Sequence, residues 1–441
     1  MSMPLRALRD CFEGVIPSII ATLDNDGIPN VSYLSQVHYV DDEHVALSNQ
    51  FFSKTARNVE QTGQATVLVV DGRTGQQHEL DLVFDRAVQS GDTFSRIDAH
   101  IRATGAREGP GVPWLLRSAD IYKVRGVQRV PAQPEPPITD ATGPDSVGRL
   151  SAAARLATRQ AKTSDPDAMI DVMLDGLQQE LGYANVIALL ADEERGRLTT
   201  IGSRGYSLGG VGSEAKIGEG AIGIAAASAR PVRISDMSRG RRYAAAVGRE
   251  TGERTIPLPG LAEPQSQLAA PMISNGRVQG VLFAEDAQRF RFTHADEDAL
   301  AIVAFQLAAS LRLSEAEPSG ARRRRPEIAA TPTGQPFHVR YHGFDDSLFI
   351  DDAYLIKGVP GRLLFHFLKA YGETGRTDFS NRELRLDAAL RLPELKDNLE
   401  ARLILLRRRL DEKDAPVRIT RPERGLIHLE LAGPPRLEVV A

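Results

Sequence analysis

Two proline-rich segments constrain this chain most, because neither can form a packed element. Residues 131–144 read PAQPEPPITDATGP, and residues 316–336 combine prolines with the basic run Arg322 to Arg325. Both segments therefore predict linkers, and a length of 441 residues suits about three domains of ordinary size. The predicted domains are residues 1–130, 145–315 and 337–441.

Composition fits a soluble globular protein, with 42% hydrophobic and 25% charged residues. The net charge of -4 gives no overall attraction to nucleic acid or membranes, yet from Glu317 onward Lys and Arg number 22 against 19 Asp and Glu. This asymmetry points to a nucleic-acid-facing C-terminus. A single cysteine, Cys11, excludes an intrachain disulfide, and the absence of a long apolar run or signal peptide predicts a cytoplasmic protein.

The first domain contains short β-branched runs separated by turn residues, which predict a small antiparallel barrel. The turn at Asp26-Gly27 is a hairpin signal between the first two runs. The predicted strands are residues 18–23, 31–40, 44–48, 65–70 and 80–88.

These runs, with the later segment SxxxxSKxxxN and the closing strand SADIYKVRGVQRV, resemble the split barrel of the pyridoxamine 5'-phosphate oxidase-like superfamily. The resemblance covers about 125 residues and implies a dimer with flavin mononucleotide (FMN) at the subunit interface. A phosphate needs cationic and hydroxyl donors near a helix start. The candidate FMN-binding residues are Ser35, Gln36, His38, Ser48, Ser53, Lys54, Thr55 and Asn58.

Two of these residues have ordinary alternatives. Lys54 can be a solvated lysine at a helix start, next to Ser53 as a simple helix cap. His38 can be a half-exposed strand residue with no ligand. No further phosphate- or substrate-binding arginines are placed in this region, so the sequence assigns no catalytic residue.

The middle domain is marked by the stretch Lys216 to Met237, whose glycines and small residues predict a turn, a helix and a short strand. Asn275-Gly276 predicts a hairpin turn, and Thr293 with Asp296 predicts a capped helix. That helix carries an apolar seam that can pack on its own sheet or form a dimer. The seam residues are Leu300, Val303, Leu307 and Leu311.

The segments KIGEGAIGIAAASARPVRISDM, SQLAAPMISNGRVQGVLFAED and FTHADEDALAIVAFQLAASL resemble a GAF domain. The resemblance spans about 170 residues and implies a six-stranded sheet between helices that binds a small molecule of unknown identity. An arginine-rich loop follows the first segment and can cover such a pocket, or simply be solvated. The candidate ligand-binding residues are Arg239, Arg241, Arg242 and Tyr243.

The last domain is predicted to contain two strands, a helix over 361–371, a helix capped by Ser380, a helix over 396–413 and a hairpin. This order, with NLEARLILLRRRLDEK and VRITRPERGLIHLEL, resembles the winged-helix effector domain of OmpR-type response regulators. The resemblance implies that the third helix enters the major groove. The candidate DNA contacts, mainly to phosphates, are Lys396, Arg402, Arg407, Arg408, Arg409, Arg421 and Arg424.

The resemblance has a limit, because Asp397 and Glu400 at the start of the third helix would repel phosphate. A winged-helix module that binds protein is therefore the alternative for this domain.

The predicted fold class is multidomain α+β: an antiparallel split barrel, a GAF-like α/β/α domain and a winged helix. The predicted function is a homodimeric, ligand- or redox-responsive transcriptional regulator. The alternatives are an FMN-dependent oxidoreductase regulated by its other domains, and a signalling scaffold with a protein-binding tail. No metal-ligand spacing is present.

Overall fold

The computed structural model describes residues 3–12, 16–34, 36–50, 54–105, 115–131, 146–192, 195–237, 256–315, 334–390, 399–422 and 425–440. None of the helices in these ranges is long and apolar enough to cross a membrane.

The first domain is a curled antiparallel sheet with two α-helices. Its strands are β1 (Ser18–Leu23), β2 (Pro29–Leu34), β3 (Val37–Tyr39), β4 (His44–Asn49), β5 (Gln64–Val70), β6 (Gln77–Val88) and β7 (Ser118–Arg129). The helices are a 3-10 helix (Leu5–Cys11), α1 (Lys54–Thr62) and α2 (Asp92–Gly105). The strand order is β2-β1-β5-β6-β7-β4-β3. In β5, buried Ala65, Val67 and Val69 alternate with less buried residues. This period of two is that of a strand with one face in the core.

Strand β1 has the predicted bounds. The predicted strand over 31–40 is two strands, since β2 ends at Leu34 and β3 begins at Val37. Helix α2 is not among the predicted elements.

In the part of it that the structure describes, the middle domain has six antiparallel strands with helices on both faces. Its strands are β8 (Asn185–Asp192), β9 (Arg197–Arg204), β10 (Glu214–Lys216), β11 (Val232–Ile234), β12 (Ser266–Ser274) and β13 (Arg277–Asp286). The helices are α3 (Ser146–Gln160), α4 (Pro166–Gln179), α5 (Gly220–Ser228) and α6 (His294–Glu315). The strand order is β10-β9-β8-β13-β12-β11. Helices α3, α4 and α6 pack together on one face, and α5 packs on the other.

Local chemistry fixes the ends and the close approaches of these helices. Asp165 caps α4 by accepting a hydrogen bond from Ala168 N at 2.9 Å. The hydroxyl of Thr293 accepts from Asp296 N, and the Asp296 carboxylate accepts from Thr293 N at 2.8 Å. At Gly223, a Cβ atom would lie 2.0 Å from the Lys216 carbonyl oxygen, so α5 can approach that turn only with glycine there.

The apolar seam of α6 packs within its own domain, against β12 and α3. Leu300, Val303 and Leu307 are fully buried in that core, and Leu311 is nearly so. Of the two alternatives for this seam, packing on its own sheet is therefore the one that the structure shows.

Among its described residues, the last domain contains two small sheets and three α-helices. Its strands are β14 (Phe337–His342), β15 (Ser347–Ile350), β16 (Ala353–Ile356), β17 (Asp378–Ser380), β18 (Val417–Thr420), β19 (Leu426–Leu431) and β20 (Pro435–Val440). The helices are α7 (Val359–Thr374), α8 (Asn381–Leu386), a 3-10 helix (Ala388–Leu390) and α9 (Leu399–Glu412). One sheet has the order β16-β15-β14-β20 and the other β17-β19-β18, and β20 runs parallel to β14.

Helix α9 has the predicted leucine stripe, and its four residues are 0–1% exposed. They are Leu399, Leu403, Leu406 and Leu410. Ser380 caps α8 through a hydrogen bond from Glu383 N at 3.3 Å. The helices and the β18-β19 hairpin follow in the predicted order, while β16, β17 and β20 are additional.

The middle domain packs against both of the others. Ala99 and Ala103 of α2 belong to the apolar cluster around α5 and β11. On the other side, α9 contacts β9 and α4, and one apolar cluster includes residues of both domains.

Candidate functional site

The start of α1 presents a cation and a hydroxyl beside the β1-β2 turn. The Lys54 side chain is 46% exposed, and its ammonium lies 3.9 Å from an Asp24 carboxylate oxygen. The Thr55 hydroxyl accepts a hydrogen bond from the Asn30 amide at 2.9 Å. Because the first backbone N–H groups of a helix are free to bind anions, Lys54 and Thr55 fit a phosphate group here.

The other predicted FMN-binding residues in the described ranges face inward. His38 Nε2 is hydrogen-bonded to Gln36 Oε1 at 2.8 Å, and Ser48 N donates to the Gln36 carbonyl at 3.2 Å. The Asn58 amide donates to the Thr22 hydroxyl at 3.1 Å. All are nearly fully buried. The expectation that His38 is half-exposed is wrong, because the ring lies inside the domain and packs edge-on against a neighbouring imidazole.

The predicted FMN-binding set is therefore split by the fold. Lys54 and Thr55 reach the surface, whereas Gln36, His38, Ser48 and Asn58 support the barrel from within. Ser35 and Ser53 lie outside the described residues. The residues present thus fit the phosphate end of FMN at α1.

In the middle domain, all four predicted ligand-binding residues lie outside the described residues. They are Arg239, Arg241, Arg242 and Tyr243.

A polar group that the sequence analysis missed lies at the end of β13, on the α5 side. The buried Glu285 carboxylate accepts hydrogen bonds from Leu261 N at 2.6 Å and from the Gln267 amide at 3.2 Å. Burial, and secondly the nearby Glu285, raise the pKa of Tyr206 far above its usual range. These donors hold Glu285 inside the domain, and nothing in the sequence distinguishes Glu285 from a solvated strand end.

Three predicted DNA-contacting arginines of α9 bind carboxylates of the middle domain. The Arg402 guanidinium lies 3.1 Å from Asp192, and the Arg408 guanidinium lies 3.0 Å from Asp171. Arg407 and Arg408 both form ion pairs with Asp167. We call the four carboxylates that meet these arginines the acidic surface. They are Asp165, Asp167, Asp171 and Asp192.

Two other predicted DNA contacts are used inside the last domain. Buried Arg409 donates to the Leu355 carbonyl oxygen at 2.8 Å and pairs with Glu412 at 2.8 Å. Arg421 pairs with Glu400.

Glu400 also accepts a hydrogen bond from Asn381, so the Glu400 carboxylate joins α8, α9 and the end of β18. The expectation that Glu400 would face phosphate is therefore wrong, because this carboxylate is buried against Arg421. Lys396, Asp397 and Arg424 lie outside the described residues.

Charged contacts also join the first and middle domains. Asp10 is 2.9 Å from the His294 ring, and Arg96 is 2.8 Å from Glu297. Burial alone would raise the pKa of Asp10, but the hydrogen bond and charge of His294, with Arg233 and Arg73, hold it well below its usual range. The middle domain thus receives polar contacts from both neighbours.

Comparison with known families identifies two of the three domains. Residues 5–107 match the family model of pyridoxamine 5'-phosphate oxidase, and residues 163–312 match that of the GAF domain. The chain therefore joins a pyridoxamine 5'-phosphate oxidase-like domain to a GAF domain. The last domain lies outside both matched ranges.

Solved structures similar to single regions of the chain include the GAF domain of an Acinetobacter phosphoenolpyruvate-protein phosphotransferase, at 21% identity over 39% of this chain and 97% of that one, with a TM-score of 0.32. An FMN-binding protein from Syntrophomonas wolfei subsp. wolfei is 17% identical over 30% of this chain and 90% of that one, with a TM-score of 0.25. Free methionine-R-sulfoxide reductase from Neisseria meningitidis is 19% identical over 38% and 92%, with a TM-score of 0.31. No curated protein matches the chain.

Proposed function

We propose that this chain is a ligand- or redox-responsive transcriptional regulator. The barrel binds FMN or a related small molecule, the GAF domain senses a second small molecule and relays its state, and the last domain binds DNA. The observation that carries the proposal is the position of the GAF domain between the other two. It meets Asp10 and Arg96 on one side and Arg402 and Arg408 on the other.

The barrel's role rests on the start of α1. Lys54 and Thr55 would hold the phosphate, since a cation, a hydroxyl and a helix N-terminus attract the same anion. When bound, FMN supplies redox chemistry through its ring system. A regulator can use that chemistry as a signal without turning over a substrate, and the described residues of the barrel give no catalytic residue to assign.

A homodimer is supported by the outer edge of the barrel. Val31 and Tyr33 of β2 are 67% and 80% exposed, next to exposed Leu23 and Ile28. Exposed apolar groups of this kind mark contact surfaces. We expect the protein to have twice the chain mass by light scattering, and Val31→Glu with Tyr33→Glu to reduce it to the mass of one chain. An unchanged mass would show that β2 does not form the dimer contact.

A second candidate function is a signalling scaffold whose last domain binds protein. It is favoured by the α9 arginines, whose partners in the described residues include carboxylates of the GAF domain.

The test uses the full-length protein in two titrations. FMN is followed by its absorbance, and a labelled duplex from upstream of the protein's own coding region is added at about 50 mM and about 200 mM salt. If the chain is such a regulator, we expect it to take up FMN and to bind DNA with an affinity that falls as the salt concentration rises. Absence of DNA binding at the lower salt, in the wild type and also in Asp167→Asn with Asp171→Asn, would leave the scaffold. Absence of FMN uptake would remove the cofactor from the proposal.

A further inference from the structure

Helix α9 has two faces with different partners. The leucine stripe faces the core of its own domain, while Arg402, Leu405 and Arg408, spaced three residues apart, face the GAF domain. The winged-helix resemblance of the last domain implies that DNA contacts the face of α9 that its own core does not cover. That face is the one turned toward the GAF domain.

The contact between α9 and the GAF domain is close as well as ionic. A Cβ atom added to Gly202 on β9 would lie 2.8 Å from the Arg408 guanidinium nitrogen and 2.9 Å from a Leu174 methyl carbon. The Arg408 guanidinium also donates to the Asp167 carbonyl oxygen at 3.0 Å. A larger residue at position 202 would therefore require the Arg408 or Leu174 side chain to shift.

A second cation reaches the GAF domain from the same side. The Lys357 ammonium, just before α7, lies 3.0 Å from Glu214 on β10. The contact thus extends from α4 to the β10 edge of the sheet.

Chemistry makes carboxylates and phosphates alternative partners for these arginines. Both are oxyanions that guanidinium binds by charge-assisted hydrogen bonds. Burial lowers the pKa of Arg407 and of Arg408, and nearby carboxylates of the acidic surface offset this lowering only in part. The Arg408 side chain is 13% exposed and already holds both Asp167 and Asp171, so a phosphate has to displace these carboxylates to reach it.

We infer that the acidic surface of the GAF domain binds the DNA-facing side of α9 within the same chain, so that DNA binding requires its release. This inference rests on the proposed DNA-binding function and names its regulation. The two partners compete for Arg402, Arg407 and Arg408.

The test removes charge from the acidic surface of the full-length protein. Asp167→Asn with Asp171→Asn is compared with Asp175→Asn with Glu180→Gln, which removes two charges from the same region. In the described structure Asp175 pairs with Arg204, and Glu180 pairs with Arg155 and Arg159. Asp192→Asn serves as a milder variant if the first one does not fold.

Affinity for a labelled random-sequence duplex is measured at about 50 mM salt. We expect Asp167→Asn with Asp171→Asn to bind about tenfold more tightly than the wild type, a change of about 1.4 kcal/mol. The control pair should bind within about twofold of the wild type, because its carboxylates do not hold α9. Equal affinities of both variants and the wild type, with DNA bound, would overturn the inference.

Hydrogen exchange of residues 399–412 gives a second measurement without DNA. Faster exchange in Asp167→Asn with Asp171→Asn than in the control supports the contact. If exchange rises but no variant binds DNA, the proposed DNA function fails while the intramolecular contact stands. If exchange is unchanged, the competition is overturned whatever the DNA affinity.

Discussion

The start of α1 and the GAF-facing side of α9 are both basic in sequence, but they lie in opposite environments. Lys54 is 46% exposed, and Asp24 is 3.9 Å from its ammonium. The Arg402 side chain is 14% exposed and meets Asp192 at 3.1 Å. The comparison teaches that a basic pattern shows where charge lies, while partners distant in sequence decide what that charge binds.

The largest expected effect is on stability, from removing one buried cation. Arg408→Met leaves Asp167 without one of its ion-pair partners, and we expect a loss of about 3 kcal/mol in the free energy of unfolding. Urea denaturation followed by circular dichroism measures it. Arg418→Met, at an exposed position on β18, should change stability by less than about 0.5 kcal/mol. Equal losses in the two variants would contradict the contrast between buried and exposed arginines.

A smaller effect is expected at the start of α1, and on ligand binding alone. Lys54→Ala removes an exposed cation, so we expect FMN to bind about tenfold more weakly while stability changes by less than about 0.5 kcal/mol. Fluorescence titration of FMN measures the affinity. Lys123→Ala, an exposed lysine that pairs with Glu43, is the matched control. If Lys54→Ala and Lys123→Ala bind FMN equally well, Lys54 does not hold the phosphate.

The smallest effect concerns pH at the contact between the barrel and the GAF domain. The pKa of Asp10 is held low by His294, Arg233 and Arg73, so its ionised form stabilises the fold above its unfolded pKa of about 3.9. This contribution is lost as the pH falls below that value. Thermal unfolding at a series of acidic pH values should show a shallower loss for Asp10→Asn than for the wild type. Parallel curves would mean that Asp10 contributes nothing there.

Local signals predicted much of the fold. The bounds of β1, the Asn275-Gly276 turn and the Thr293 cap depend on residues close in sequence, and each occurs where predicted. Asn275 and Gly276 both have positive φ, as such a turn requires.

Long-range packing explains what was missed. Helix α2 contacts two domains, with Ile97 and Ile101 toward the barrel and Ala99 and Ala103 toward the GAF domain, so it has no single apolar stripe. Strand β20 pairs with β14 near the other end of the domain, which its own sequence does not reveal.

The candidate sites divide in the same way. Lys54 is predicted as a site residue from the residues around it. The partners of Arg408, Asp167 and Asp171, are 241 and 237 positions away in the sequence. A basic helix and an acidic helix start are both visible in the sequence, but their pairing is not. Glu285 was missed for a similar reason, since its hydrogen-bond partners belong to a loop and a neighbouring strand.

Labelling of a cysteine at position 405 tests most directly whether the GAF domain covers α9. Leu405 is buried on the GAF-facing side, so Leu405→Cys in a Cys11→Ser background places one thiol at the contact. Leu386→Cys, at a 76% exposed position, gives the rate of a free thiol, and Leu406→Cys that of a core position.

With a maleimide dye at low salt, we predict that the thiol at position 405 reacts about as slowly as the one at 406. Its rate should approach that at 386 when Asp167→Asn and Asp171→Asn are added, while the rate at 406 should stay low. Fast labelling at position 405 in the chain with both aspartates intact would show that the GAF domain does not cover α9.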